Sequence, residues 1–130
     1  PGVVILRWDA PLVFANSTLF RDRVRTLVMG REPMPRWVVI AAEPVTDIDT
    51  TAADMLVKLD RKLNADGVHL VFAELKDPVR DKLERYSIYE VMDPAHFYPT
   101  IKSAIRAFRA EEHERAGLPG GPNVAESERP

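Results

Sequence analysis

Apolar residues fall along this chain in short continuous runs separated by stripes with a helical period. Val3 to Trp8 is a strand-like run. Ala10-Pro11 breaks it, because a proline disfavours helical backbone at the residue before it. Leu12 to Ala15 reads as a second short strand. Asn16 and Ser17 offer helix caps, and Phe20, Val24, Leu27 and Val28 follow as an apolar stripe with Arg21, Arg23 and Arg25 off it. Gly30, Pro33 and Pro35 end that helix. Trp37 to Ala42 is continuously apolar, the pattern of a strand covered on both faces. The next helix carries Ala52, Met55, Leu56, Leu59 and Leu63 on its buried stripe and leaves Lys58, Asp60, Arg61 and Lys62 in water. It stops at Asp66-Gly67. Val68 to Ala73 is another strand, and Asp77-Pro78 starts a helix with Val79, Leu83 and Tyr86 on its apolar face. Val91-Met92 reads as a short edge strand. A last helix is expected over roughly 97–113, with Phe97, Ile101, Ala104, Ile105 and Phe108 as its stripe.

The order β-β-α-β-α-β-α-(β)-α predicts an α/β fold. Its sheet is small, mixed and mostly parallel, with four to five strands, four to five helices and right-handed crossovers. The expected core is Ile5, Val39, Ile40, Leu56, Leu59, Leu70, Phe72, Leu83, Ile101 and Ile105, with Trp8 and Trp37 in the core or at a sheet edge. Residues 1–113 are expected to form the domain. Leu118 to Pro130 is rich in Gly, Pro and acidic residues and has too little apolar surface to offset ordering entropy, so 114–130 is expected to be a disordered tail.

Composition narrows the function classes. The 130 residues carry a formal net charge of -2, with no global basic field to hold nucleic acid. The absence of cysteine removes disulfides, thiolate metal sites and Cys nucleophiles. No apolar run reaches the roughly 18–20 residues of a membrane span. His69, His96 and His113 share no ligand spacing, so no metal site is expected. No nucleophile has a base and an orienting group near it in sequence, so no catalysis is expected. The chain opens on Pro1 rather than Met, so a preceding segment is expected.

The candidate site is Asp49-Thr50-Thr51, at the turn between the Trp37 strand and the following helix. Hydroxyls and a carboxylate there can cap the helix, accept a phosphoryl group, or face a partner. Asp49 is a good cap, and Thr51 with Asp54 has the spacing of a capping box. Asp47, Asp49 and Asp54 crowd the turn and oppose an anion. A helix N-terminus favours an anion by roughly 0.3–1 kcal/mol. One carboxylate about 4 Å away repels it by up to about 4 kcal/mol at surface-like dielectric. The same charges would oppose a phosphoryl group on Thr51.

Four segments in order resemble the STAS domain, the fold shared by sulfate transporters and anti-sigma factor antagonists. Residues 1–16, with Ala10-Pro11-Leu12 and Phe14-Ala15-Asn16, resemble its opening in SulP-type anion permeases. Val45 to Thr51 resembles the Asp-Ser-Ser-type turn. Lys76 to Leu83 and Phe97-Tyr98-Pro99-Thr100-Ile101 resemble later helix starts of the permease branch. The resemblance covers roughly residues 1–112. It implies a cytoplasmic C-terminal regulatory domain of a sulfate permease, partnered by the same protein's transmembrane domain, with the membrane part preceding Pro1 and the full-length protein a homodimer. The soluble branch of the family implies the alternative, a freestanding antagonist phosphorylated at Thr51. Where antagonists carry Ser-Ser-Gly, this chain has Thr50-Thr51-Ala52, and Ser87 stands where the family often has a helix-ending Gly. The family also implies GTP or GDP as a regulatory ligand. No Gly-x-x-x-x-Gly-Lys-Ser/Thr loop is present, which leaves Arg21, Arg25 and Arg31 as candidate nucleotide or anion contacts.

Overall fold

The computed structural model describes residues 2–117. The strands are β1 (Val3–Arg7), β2 (Trp37–Ala41), β3 (His69–Ala73) and β4 (Phe97–Tyr98). The helices are α1 (Ser17–Met29), α2 (Thr50–Ala65), α3 (Asp77–Arg85) and α4 (Ile101–Arg115). All neighbouring strands pair in parallel, in the order β1-β2-β3-β4. A sheet whose order follows the sequence, with crossovers of one hand, stacks its connecting helices on one face. The packing agrees. Val4, Val38, Ile40, Leu70 and Phe72 face a large core with Val24, Leu56 and Leu83 of α1, α2 and α3. Their alternate neighbours Trp37, Val39, Val71 and Ala73 face a smaller core with Ala104 and Phe108 of α4.

The expected fold class holds, and several local expectations are corrected. Leu12 to Ala15 is not a strand. Leu12 makes a single parallel bridge to Ile48, and Phe14–Asn16 then winds into a 3-10 turn. Asn16 does not cap α1 through its side chain. It closes the turn instead, accepting from the Val13 N–H (3.0 Å) and donating to the Pro11 carbonyl (2.8 Å). Val91-Met92 is not the edge strand. Met92 is buried under a 3-10 turn, and the edge is Phe97–Tyr98, with the Phe97 ring stacked on Phe72 at 5.2 Å. The last helix therefore starts at Ile101. Thr100 Oγ1 accepts from the Ser103 N–H (2.9 Å), and Ser103 Oγ accepts from the Thr100 N–H (3.2 Å), a reciprocal cap just after Pro99. The α3 helix begins at Asp77, one residue before the expected start.

Trp8 and Trp37 are both core residues, and Trp8 meets Phe20 edge-on at 5.1 Å. Of the expected core, Ile5 is 49% exposed and Ile101 and Ile105 are half-buried, because α4 packs mainly across β2, β3 and β4 and covers β1 only at its Val3 end. Ser87 takes a left-handed backbone (φ 58), the conformation for which glycine is the usual residue. The α4 helix runs to Arg115, two residues past the expected domain end. The rest of the expected tail, 118–130, lies outside the described residues.

Asp60 is not a wet residue of α2. It is buried, bonded to Asn64 Nδ2 at 3.3 Å. Burial holds its carboxyl above the ordinary carboxylate range, with His96 and His69 pulling the other way. An acid whose folded-state affinity for protons is raised makes the fold more stable as pH falls through its folded value. Asp60→Asn is therefore expected to raise stability at pH 7, since a desolvated charge is removed. The gain should shrink to nothing as pH approaches the free-aspartate value of about 3.9. Urea midpoints of both proteins across that range check this; a gain that is constant with pH contradicts it.

Candidate functional site

The turn from β2 into α2 is fixed by two carboxylates that act in different ways. Asp49 has extended backbone (φ -106, ψ 174) and occupies the capping position of α2. Its Oδ1 accepts from the Ala52 N–H (2.8 Å), and its Oδ2 accepts from the Phe14 N–H (2.8 Å). One side chain thus satisfies a free amide at the helix start and ties it to a loop 35 residues away in sequence. The backbone repeats the tie: the Leu12 N–H donates to the Asp47 carbonyl (2.9 Å), and the Asp49 N–H donates to the Leu12 carbonyl (3.3 Å). With Asp49 as cap, Thr51 lies inside the first turn, so its spacing to Asp54 is not a capping box.

Asp47 serves α3. Lys82 donates to its Oδ1, and the Ile48 N–H donates to the same oxygen at 2.9 Å. The Lys82 bond, with the Ile48 amide second, holds the Asp47 carboxyl below the usual carboxylate range, and the same bond pushes Lys82 up. Tyr86 Oη donates to the Ile48 carbonyl (3.2 Å). Sequence reasoning missed Lys82 and Tyr86 as parts of this site. Their helical spacing i, i+4 was the available signal, but only the fold shows which turn they reach.

The structure therefore changes the electrostatic picture of the turn. Asp47 is neutralised by Lys82 and Asp49 is turned onto two amides, which leaves Asp54 as the open carboxylate of the three. Thr50 and Thr51 are exposed. Thr51 lines a cleft of about 300 Å³ between α1 and α2, together with Ser17, Thr18, Arg21, Asp54, Met55 and Lys58. Above the turn, Phe14 is 74% exposed.

The three candidate arginines do not gather. Arg21 faces the Thr51 cleft, paired with Asp22 at 3.0 Å. Arg31 lines a different depression of about 390 Å³ beside Gly2 and Pro33. Arg25 lies between them on α1, half-buried. Lys58, which sequence reasoning placed only on a wet face, joins Arg21 instead. His69 and His96 do meet, with ring centroids 5.0 Å apart, but no group of three metal-type ligands occurs among the described residues.

Comparison with known proteins places these features. Residues 1–104 match the model of the STAS domain. A probable sulfate transporter of Mycobacterium tuberculosis is 36% identical over 109 residues, which cover 84% of this chain and 20% of that protein. The chain thus spans about a fifth of the length of that relative. Among solved structures, the SulP transporter STAS domain from Vibrio cholerae superposes with a TM-score of 0.70 at 17% identity, over 87% of this chain and 85% of that one. The anti-sigma factor antagonist SpoIIAA in its unphosphorylated form gives 0.64 at 16% identity, over 82% and 88%. At those identities the two structures speak for the fold alone. No described helix is long and apolar enough to cross a membrane.

Proposed function

Because the chain belongs to the STAS domain family, we propose that it is the cytoplasmic regulatory and interaction domain of a SulP-type sulfate permease. It works by contact and has no catalysis of its own. The observation that carries this reading is Asp49. By bonding to both the Phe14 and Ala52 amides it ties the loop that carries the exposed Phe14 to the start of α2, where Thr50 and Thr51 are exposed. A preorganised surface binds with less ordering cost than a loose one. Its partner is the transmembrane domain of the same transporter, within a homodimer. Similarity to transporters over most of the chain supports this over a freestanding antagonist switched at Thr51. Sulfate uptake into cells or vesicles, with and without residues 1–117 in the full-length transporter, tests it. Altered uptake at equal surface expression is expected. Unaltered uptake contradicts the reading.

A regulatory guanine nucleotide is a second reading, favoured by one observation. Arg21 and Lys58 line the same cleft as the exposed hydroxyls of Thr18 and Thr51, with Asp54 as the opposing charge. Phosphate oxygens of GTP or GDP would find paired cations and hydroxyl donors there. NMR titration with either nucleotide should shift Ser17, Thr18 and Thr51 amides. Shifts confined to the Arg31 depression, or none, contradict that placement.

A further inference from the structure

The α4 helix covers its face of the sheet incompletely. Val3 and Ile5 of the edge strand β1 point to that face. Val3 packs against the α4 core, yet Ile5 stays 49% exposed while its register neighbour Val39 is fully buried. Around α4 the residues are sorted by charge. Ala104 and Phe108 point inward. Glu111 accepts from Trp37 Nε1 (3.0 Å), and Glu112 pairs with Arg36 (2.7 Å), so these acids are held against the domain. Lys102, Arg106 and Arg109 follow at helical spacing on the outer side, all exposed. Among the described residues none of these three cations has a hydrogen-bond or ion-pair partner. They border an open groove of about 580 Å³ along the helix, whose apolar lining is Ile101 and Ile105.

We propose that this side of α4 docks on an anionic phospholipid surface. Lys102, Arg106 and Arg109 meet the headgroup phosphates, and the half-buried Ile101 and Ile105 enter the boundary beneath them. Cations set over an apolar strip are the arrangement of an interfacial helix. Fluid headgroups can match three long, unpaired side chains without fixed counter-charges, which an acidic protein would have to supply at matching positions. The membrane setting rests on the transporter reading above, but the contact itself does not need the permease.

The test is co-sedimentation of the full 130-residue chain with vesicles of phosphatidylcholine alone or with added phosphatidylserine. Binding to the anionic vesicles only, weakened by salt, is expected. Each cation near such a surface is worth about fivefold, so Lys102→Gln, Arg106→Gln and Arg109→Gln together should lower partitioning by about a hundredfold. Ile105→Ser should weaken binding while keeping its salt dependence. All three cationic positions are exposed, so an unchanged melting curve separates lost binding from lost folding. Equal binding to both vesicle types overturns the proposal, as does wild-type partitioning of the triple variant. So does self-association, without vesicle binding, that the triple variant abolishes; that result assigns the face to a second copy. Absent vesicle binding with uptake still dependent on the domain overturns this contact alone. Vesicle binding with uptake indifferent to the domain overturns the transporter reading alone.

Discussion

Asp49→Ala is expected to destabilise the fold by about 2–3 kcal/mol. Loss of a helix cap costs about 0.5–2 kcal/mol. The second bond adds about 1 kcal/mol, because the Phe14 N–H loses its partner when the carboxylate goes. In a domain of this size that lowers the melting temperature by about 10 °C. Asp49→Asn should lose about half as much, since asparagine keeps the cap on the Ala52 N–H but turns its amide NH2 toward the Phe14 N–H and loses that bond. Urea midpoints of the three proteins measure the difference. A loss below about 0.5 kcal/mol for Asp49→Ala, the range of an ordinary surface change, would mean that the turn is held by its backbone bonds and not by this side chain. The variant should also alter the contact surface, because Phe14 is no longer tied to α2.

Phe108→Ala is expected to cost more, about 3–5 kcal/mol, the usual range for deleting a buried phenylalanine. The ring is 4% exposed and meets Trp37 edge-on at 5.5 Å. The α4 core is small, with Trp37, Val39, Val71, Ala73 and Ala104 as its other buried members, and the one large ring among them, Trp37, is held in place by its bond to Glu111. The ring tip also lies 2.9 Å from where a Cβ on Gly2 would stand, which places glycine at the start of β1 by close approach. Loss of Phe108 should loosen α4 and expose Trp37, read as a red shift of tryptophan emission before global unfolding in urea. A variant that unfolds in one step with native-like emission up to the midpoint would show that α4 is held by Glu111 and Glu112 instead.

Much of the fold was legible because its strongest elements carry a clean period. Trp37 to Ala42 is an unbroken apolar run, and β2 is buried on both faces. The α2 stripe of Leu56, Leu59 and Leu63 gave the helix and its buried face, but Asp60 beside it was misread, because a charged residue next to a stripe looks solvated until neighbouring elements close over it. The edge elements were harder. The β4 strand is two residues long and too short to show alternation, and the aromatic stack of Phe97 on Phe72 defines it only in three dimensions. Ile5 alternates like a core residue, yet one helix is too narrow to cover four strands. At the site, Asp49 was readable as a cap from the residues around it. Its second bond to Phe14 and the Asp47–Lys82 pair each join segments 35 residues apart, and no local pattern encodes them. That is also why the acidic crowding at the turn looked stronger in sequence than it is in the fold.

On the proposed reading, the turn's hydroxyl surface regulates a transporter by contact. Sulfate uptake by the full-length transporter carrying Thr51→Glu tests it most directly, with Thr51→Ser as the matched control. Thr51 is exposed and outside the cap, so neither change should shift the stability of the domain by more than about 0.5 kcal/mol. A carboxylate placed on the contact surface should change uptake by at least about fivefold, the lower end of ordinary coupling between two sites, while Thr51→Ser stays at the wild-type rate. Wild-type uptake by Thr51→Glu at equal surface expression would contradict regulation through this surface.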